Sequence, residues 1–164
     1  MKKDPNVYSP FKATHHLDKI EQLKRGDHPV PLQVQLIVSD LCNHNNFGEY
    51  DVVKGMVNNN PNRMISYDKC IEILDDCADM GVKALQFTGG GEPTVHPKHK
   101  DIFQYTIDKG MDLALVTNGT IMREGVPEIL AKGKWVRFSI DAAKAETYSS
   151  IREVPKSFFQ KALD

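Results

Sequence analysis

The sequence predicts an α/β fold built on a parallel sheet, open or closed into a barrel. Two observations carry this: a helix–glycine–strand unit that recurs at Gly81, Gly110 and Gly133, and four polar or glycine-rich segments that each follow a strand candidate. Bulk properties agree. The 164 residues suit one domain, and 40% apolar residues with 11 glycines argue against general disorder. Charge nearly cancels, 21 Lys and Arg against 22 Asp and Glu, so no basic field attracts nucleic acid or anionic lipid. The longest apolar run, Leu113-Ala114-Leu115-Val116, is far short of the roughly 20 residues of a membrane span. Met1-Lys2-Lys3-Asp4-Pro5 lacks the apolar stretch of a signal peptide. Three cysteines at wide, unpatterned spacing make no disulfide framework, which places the chain in a reducing cytoplasm.

Residues 1–31 read as an N-terminal extension and 32–164 as the core domain. Within the extension, residues 13 to 25 form an amphipathic pattern with Leu17, Ile20 and Leu23 inward, an accessory helix covering one end of the sheet. Pro29 and Pro31 introduce a first strand, Leu32 to Ser39. Asparagines at 43, 45, 46, 58, 59, 60 and 62, with Gly48, Gly55 and Pro61, mark a long polar loop of the kind that is functional or disordered. Ser66 caps a helix running to about Met80, with Asp68 in its first turn and Cys70, Leu74, Cys77 and Ala78 on one buried face. Strand Lys83 to Thr88, helix Pro97 to Lys109, strand Asp112 to Thr117, helix Gly125 to Lys132 and strand Trp135 to Ile140 complete the series. Each recurring glycine is expected to end its helix in the left-handed conformation. Pro155 to Asp164 opens a last helix with Phe158, Phe159, Ala162 and Leu163 toward a core. Four strands and an uncapped final helix read as a truncated fold, whose raw sheet edge a second copy or a partner chain would cover.

In parallel α/β sheets, ligands bind beyond the carboxyl ends of the strands. The four segments there are Ser39 to His44, Thr88 to Pro93, Thr117 to Thr120 and Ser139 to Ala143. In the second, Gly89, Gly90 and Gly91 let main chain approach a ligand, and Glu92 offers a carboxylate to an ammonium or hydroxyl; the competing reading is a tight turn. Phosphate is disfavoured, because no Gly-Lys-Ser/Thr follows. Among metal donors, Cys42 and His44 share the rim, and His96 and His99 follow the glycine loop. The latter pair, flanked by Lys98 and Lys100, reads as solvated loop histidines, and His15-His16 as surface. Cys70 and Cys77 read as core. Asp40, Glu92 and Asp141 could serve acid–base chemistry or merely cap turns.

These segments carry a resemblance. Gly90-Gly91-Glu92-Pro93 is similar to the GGEP motif of radical S-adenosylmethionine enzymes, and Ser39 to His44 resembles that family's cluster loop. Thr117-Asn118-Gly119 and Ser139-Ile140-Asp141-Ala142 resemble the ends of its third and fourth strands, a match from about Leu32 to Asp164. The resemblance implies a partial TIM-type barrel, with about four of the usual six βα units. It also implies reductive cleavage of S-adenosylmethionine at a [4Fe–4S] cluster, giving a 5′-deoxyadenosyl radical that acts on an unidentified substrate. On the matching positions Gly89, Gly90, Gly91 and Glu92 would engage the methionine ammonium. Asn118 and Ser139 would contact ribose or carboxylate, with Asp141 on the same loop. Arg152 would pair with the carboxylate, unless it is an ordinary surface arginine. Cys42 is the one cluster cysteine retained. The family's Cys-x3-Cys-x2-Cys places the others at 46 and 49, where this chain has Asn46 and Glu49, either by substitution or through a short deletion between Asn45 and Phe47. One thiolate does not hold four irons. Three readings follow: an enzyme of the family, a catalytically inactive remnant or fragment that keeps S-adenosylmethionine or nucleoside binding, or an interaction subunit docking through its exposed sheet edge.

Overall fold

The computed structural model describes residues 15–44 and 64–164. The chain divides into two compact units, Met1–Pro31 and Leu32–Asp164. In the first, helix α1 (Leu17–Lys24) places Asp18 in its first turn and Lys24 in its last, the charge order that suits the helix dipole. The inward stripe expected of it does not form: Leu17 and Leu23 are exposed and no residue of α1 is buried. The spacing i, i+3, i+6 keeps Leu17, Ile20 and Leu23 within about a third of the helix circumference, the width of an ordinary apolar stripe, so the pattern alone does not decide burial. Residues 13 and 14, where the helix was expected to begin, lie outside the described residues, as do the asparagine-rich positions from 45 to 62.

The second unit is the α/β fold. Strands β1 (Gln33–Ile37), β2 (Ala84–Thr88), β3 (Asp112–Thr117) and β4 (Trp135–Phe138) form one sheet in sequential order, every pair parallel. Sequential parallel order is the progression of a TIM-type barrel, and the connecting helices supply the crossovers parallel strands require. One register row, Leu36, Phe87, Leu115 and Val136, faces the helices. Against it pack Cys70, Leu74 and Cys77 of α2 (Tyr67–Met80), Ile102 and Phe103 of α3 (His99–Asp108), and Val126 and Ile129 of α4 (Val126–Leu130). The Phe87 and Phe103 rings meet at 4.9 Å. Helices α5 (Ala145–Arg152) and α6 (Ser157–Leu163) follow β4. Among the described residues no helix is long and apolar enough to cross a membrane.

Local signals operate as expected at α2: Ser66 Oγ accepts the Lys69 N–H, and Gly81 at φ 83° ends the helix. Gly133 differs. It is not left-handed; a Cβ there would stand 3.0 Å from the carbonyl oxygens of both Leu113 and Leu130, so it serves close packing of a helix end on β3. In α6, Ala162 is buried and Phe158 and Phe159 half-buried, but Leu163, expected to face the core, is 54% exposed. The short helix centres its buried arc on Ala162, leaving Leu163 at the mouth of an apolar cavity of about 930 Å³ with Val136 and Phe138.

Candidate functional site

All four strands direct their following loops to one rim, where a cavity of about 150 Å³ opens. Cys42 comes from the loop after β1, Thr88 to Glu92 from β2 and its loop, Val116 to Asn118 from β3, Ser139 from beyond β4, and Arg152 from the end of α5. Thus Cys42, Gly89, Gly90, Gly91, Glu92, Asn118, Ser139 and Arg152, far apart in sequence, line one space; Asp141 does not.

The glycine loop is held against the β1 loop by main chain. The Gly91 N–H donates to the Ser39 carbonyl (3.2 Å) and the Glu92 N–H to the Leu41 carbonyl (2.8 Å). A Cβ on Gly91 would collide with that Leu41 carbonyl, so this glycine allows two loops to lock together as well as leaving room for a ligand. Glu92, 3% exposed, lies beneath them. Its Oε1 accepts from the Thr94 N–H (3.0 Å), the Thr94 hydroxyl (2.7 Å) and the Thr117 hydroxyl (2.7 Å), and its Oε2 accepts the Asn118 N–H (2.7 Å). Oε1 is thereby saturated, and Oε2 keeps one acceptor position.

Asn118 is similarly committed. Its Oδ1 accepts from the Thr120 N–H and hydroxyl, and its Nδ2 donates to Asn43 Oδ1 at 2.8 Å. Asn43 in turn donates to the Thr120 hydroxyl, closing a ring of amides and hydroxyls between the β1 and β3 loops. Thr94, Thr117, Asn43 and Thr120 were not singled out from sequence. The available signal was their position: short hydroxyl and amide side chains just beyond strand ends, where they satisfy loop main chain.

Arg152 is not a surface arginine. It is 6% exposed, donates from Nη2 to the Ser139 carbonyl at 2.9 Å, and forms an ion pair with Asp141. Its Nε is buried without a partner among the described residues. Asp141, half exposed, therefore orients and balances Arg152 rather than lining the cavity. The helix that carries Arg152 ends sharply, with Glu153 at φ 49° and Ser149 Oγ donating to the Val154 carbonyl. A cation in the last turn also suits the dipole.

The histidines differ from expectation. His96 and His99 are buried, not solvated. His96 Nδ1 accepts the Lys98 N–H (3.1 Å) and Nε2 donates to the Ile65 carbonyl (2.9 Å), a network that assigns one neutral tautomer and leaves no nitrogen for a metal. His99 Nδ1 donates to the His96 carbonyl at 2.7 Å. His44, 2% exposed, packs edge-on against Tyr148 and tilted against Phe158; burial, reinforced by the Arg152 charge, lowers its pKa to about 4. Among the described residues no group of three His, Cys, Asp or Glu is placed to hold a metal ion.

The cysteines decide the fit of an iron–sulfur cluster. The chain has three, and Cys42 alone reaches the rim. Burial raises its thiol pKa, partly offset by the His44 N–H that donates to Sγ at 3.4 Å. Cys70 and Cys77 belong to the core face of α2, where burial raises both thiols, that of Cys70 to about 11. Positions 46 and 49 lie outside the described residues, but they are asparagine and glutamate. A four-iron cluster held by three thiolates does not fit this donor set.

Comparison with known proteins bears on the same segments. AdoMet-dependent heme synthase of Methanosarcina barkeri is 33% identical over 96 residues, 57% of this chain and 27% of that protein. The subtilosin biosynthesis protein AlbA of Bacillus subtilis is 34% identical over 99 residues, 58% of this chain and 22% of the relative. The chain thus spans about a quarter of the length of these relatives. Streptococcus suis SuiB, in its structure with S-adenosylmethionine, superposes with a TM-score of 0.66 at 21% identity, over 96% of this chain and 37% of that one, a likeness of fold. The family model described as the Radical SAM superfamily matches residues 41–164, and the chain belongs to that superfamily.

Proposed function

We propose that the rim cavity binds S-adenosylmethionine, and that this chain does so without a cluster of its own. Members of the superfamily use S-adenosylmethionine together with a [4Fe–4S] cluster. The observation that carries the reading is the convergence of Gly89 to Glu92, Asn118, Ser139 and Arg152 on one cavity. The donor types suit a zwitterion: Glu92 Oε2 has one position for an ammonium, and the buried, unpartnered Arg152 Nε suits a carboxylate. At about 150 Å³ the cavity is smaller than the several hundred Å³ of an enclosed ligand site, so it takes the amino-acid end while the nucleoside lies across the neighbouring sheet. Reductive cleavage would require thiolates that this sequence does not supply, so the reading stops at binding. The M. barkeri relative is named as AdoMet-dependent and SuiB has been solved with S-adenosylmethionine, both consistent with it. Calorimetric titration of the full chain with S-adenosylmethionine tests the proposal: saturable binding is expected, weakened about tenfold or more in Arg152→Gln. An absence of saturable binding to the unsubstituted chain overturns it.

A further inference from the structure

Arg152 makes a contact that lining the cavity does not explain. It is the one cation among the residues that line the cavity, and its helix is firmly held. One turn earlier on α5, Tyr148 is fully buried, edge-on to His44 and tilted against Phe159. The two residues stand four positions apart, on one face of the helix. Asp141 is placed differently. It lies in the segment between β4 and α5, half exposed, and pairs with Arg152 from outside the cavity.

The pair is incomplete by the geometry of the guanidinium itself. A carboxylate grips that group with two parallel bonds along one of two edges, Nε with Nη2 or Nη1 with Nη2. Both edges include Nη2. Here Nη2 donates to the Ser139 carbonyl at 2.9 Å and pairs with Asp141 Oδ2, which commits its two hydrogens. Nε, its neighbour on one edge, is buried without a partner among the described residues. Asp141 therefore holds Arg152 by one nitrogen and leaves that edge half satisfied. Of the two oxygens on Nη2, that of Ser139 is main chain, and the Ser139 N–H is tied to the Thr117 carbonyl of β3 at 2.8 Å. The Asp141 oxygen sits on a side chain that water already reaches. Asp141 is the contact that can yield.

We infer that Asp141 is an internal competitor for the carboxylate of the ligand: it holds Arg152 Nη2 until a ligand carboxylate takes the Nε–Nη2 edge in its place. Asp141 thus sets how far the cavity favours ligands that carry a carboxylate over ligands that do not. The inference rests on the reading of the cavity as an S-adenosylmethionine site, and it has a definite sign. S-adenosylmethionine bears a sulfonium and an ammonium against one carboxylate, so its net charge is positive. Acting only through space, loss of the Asp141 charge would weaken binding of such a ligand. Acting through competition, the same loss tightens binding, because a buried guanidinium without its counter-charge favours any carboxylate that reaches it.

Calorimetric titration of the full chain compares S-adenosylmethionine with its decarboxylated form, which keeps the sulfonium and the ammonium. Asp141→Asn, which keeps the shape of the side chain, should bind S-adenosylmethionine about tenfold more tightly than the parent, with no gain for the decarboxylated form. Asp141→Ala repeats the comparison without an amide at the position and should show the same gain. In an Arg152→Gln background, Asp141→Asn should give none. A second arm needs no nucleoside. Sodium acetate should raise the thermal midpoint of Asp141→Asn more than that of the parent, with ionic strength matched by sodium chloride. Where the parent binds S-adenosylmethionine, unchanged or weaker binding in both Asp141 variants, an equal gain for the decarboxylated form, or a gain that survives Arg152→Gln would each overturn the inference. Equal acetate responses would overturn it as well. If neither parent nor variants bind S-adenosylmethionine while the acetate difference stands, the cavity reading falls alone.

Discussion

Replacing Glu92 by glutamine tests whether this carboxylate is first a structural tie or first a ligand contact. The side chain is buried and receives four hydrogen bonds from two segments, Thr94 beside it and Thr117 with Asn118 on the next loop. Glutamine keeps the shape, but one oxygen becomes an NH₂ group. If that group faces the Asn118 N–H, donor meets donor; if it faces Thr94 and Thr117, as many as three donors lose their acceptor. Losing one charge-assisted bond and leaving its donor buried costs about 1.5–3 kcal/mol. Taking about 3 kcal/mol, the thermal midpoint should fall by roughly 6–12 °C for a domain of this size. Circular dichroism melts of the variant and parent, with urea unfolding to check that the m-value is unchanged, give the measurement. Thr117→Val, which removes one donor to Glu92 and the acceptor of the Gly119 N–H (3.0 Å), should cost about 2–4 kcal/mol. A melt of Glu92→Gln within about 2 °C of the parent, set beside a large loss of S-adenosylmethionine affinity, would refute the tie and assign the carboxylate to the ligand.

Two more outcomes follow from the same geometry. Anaerobic reconstitution with iron and sulfide should leave the parent and Cys42→Ser alike without a four-iron cluster, by iron and labile-sulfide analysis; four irons per chain in the parent would show that donors beyond the cysteines suffice. His44 supplies a pH dependence of defined sign. Its folded pKa of about 4 lies below the ordinary value of 6.5, so the unfolded chain binds the proton more readily. Stability should therefore be flat above about pH 6.5 and decline as pH falls toward 4, by on the order of 3 kcal/mol. His99, lowered chiefly by burial, adds in the same direction. Urea unfolding at a series of pH values should show His44→Gln losing part of that slope, and an unchanged slope would mean that His44 is not buried neutral.

The fold was legible where a local cause acts alone. Ser66 and Gly81 bound α2 through a cap and a left-handed turn, both written in single residues, and the β2 and β3 strands follow from short apolar runs. The repeat misled at Gly133, because a glycine required by the close approach of another segment has the same letter as one required by φ. The rim was legible as four loops meeting, but not as a network. Burial of His96, His99 and Arg152 depends on what packs over them, and a hydrophilic residue in a loop gives no sign of that. Asp141 looked like a ligand contact because it shares a loop with Ser139, while its partner, Arg152, lies a full helix later.

The network also explains how a cavity of this family's type persists in a chain with one rim cysteine. In the described part of the β1 loop, four bonds tie it to the two neighbouring loops: the Ser39 and Leu41 carbonyls receive the Gly91 and Glu92 N–H groups, Asn43 Oδ1 receives Asn118 Nδ2, and Asn43 Nδ2 donates to the Thr120 hydroxyl. None of them uses Cys42. The glycine loop is tied to the β3 loop through the Glu92 carboxylate, again without a thiolate. A cluster would be one more cross-link among loops that peptide and amide groups already join. Each such bond contributes about 1 kcal/mol, and those to the carboxylate more. A chain without the cluster donors would therefore keep the walls of the cavity, and the proposed binding at the rim would be separable from catalysis.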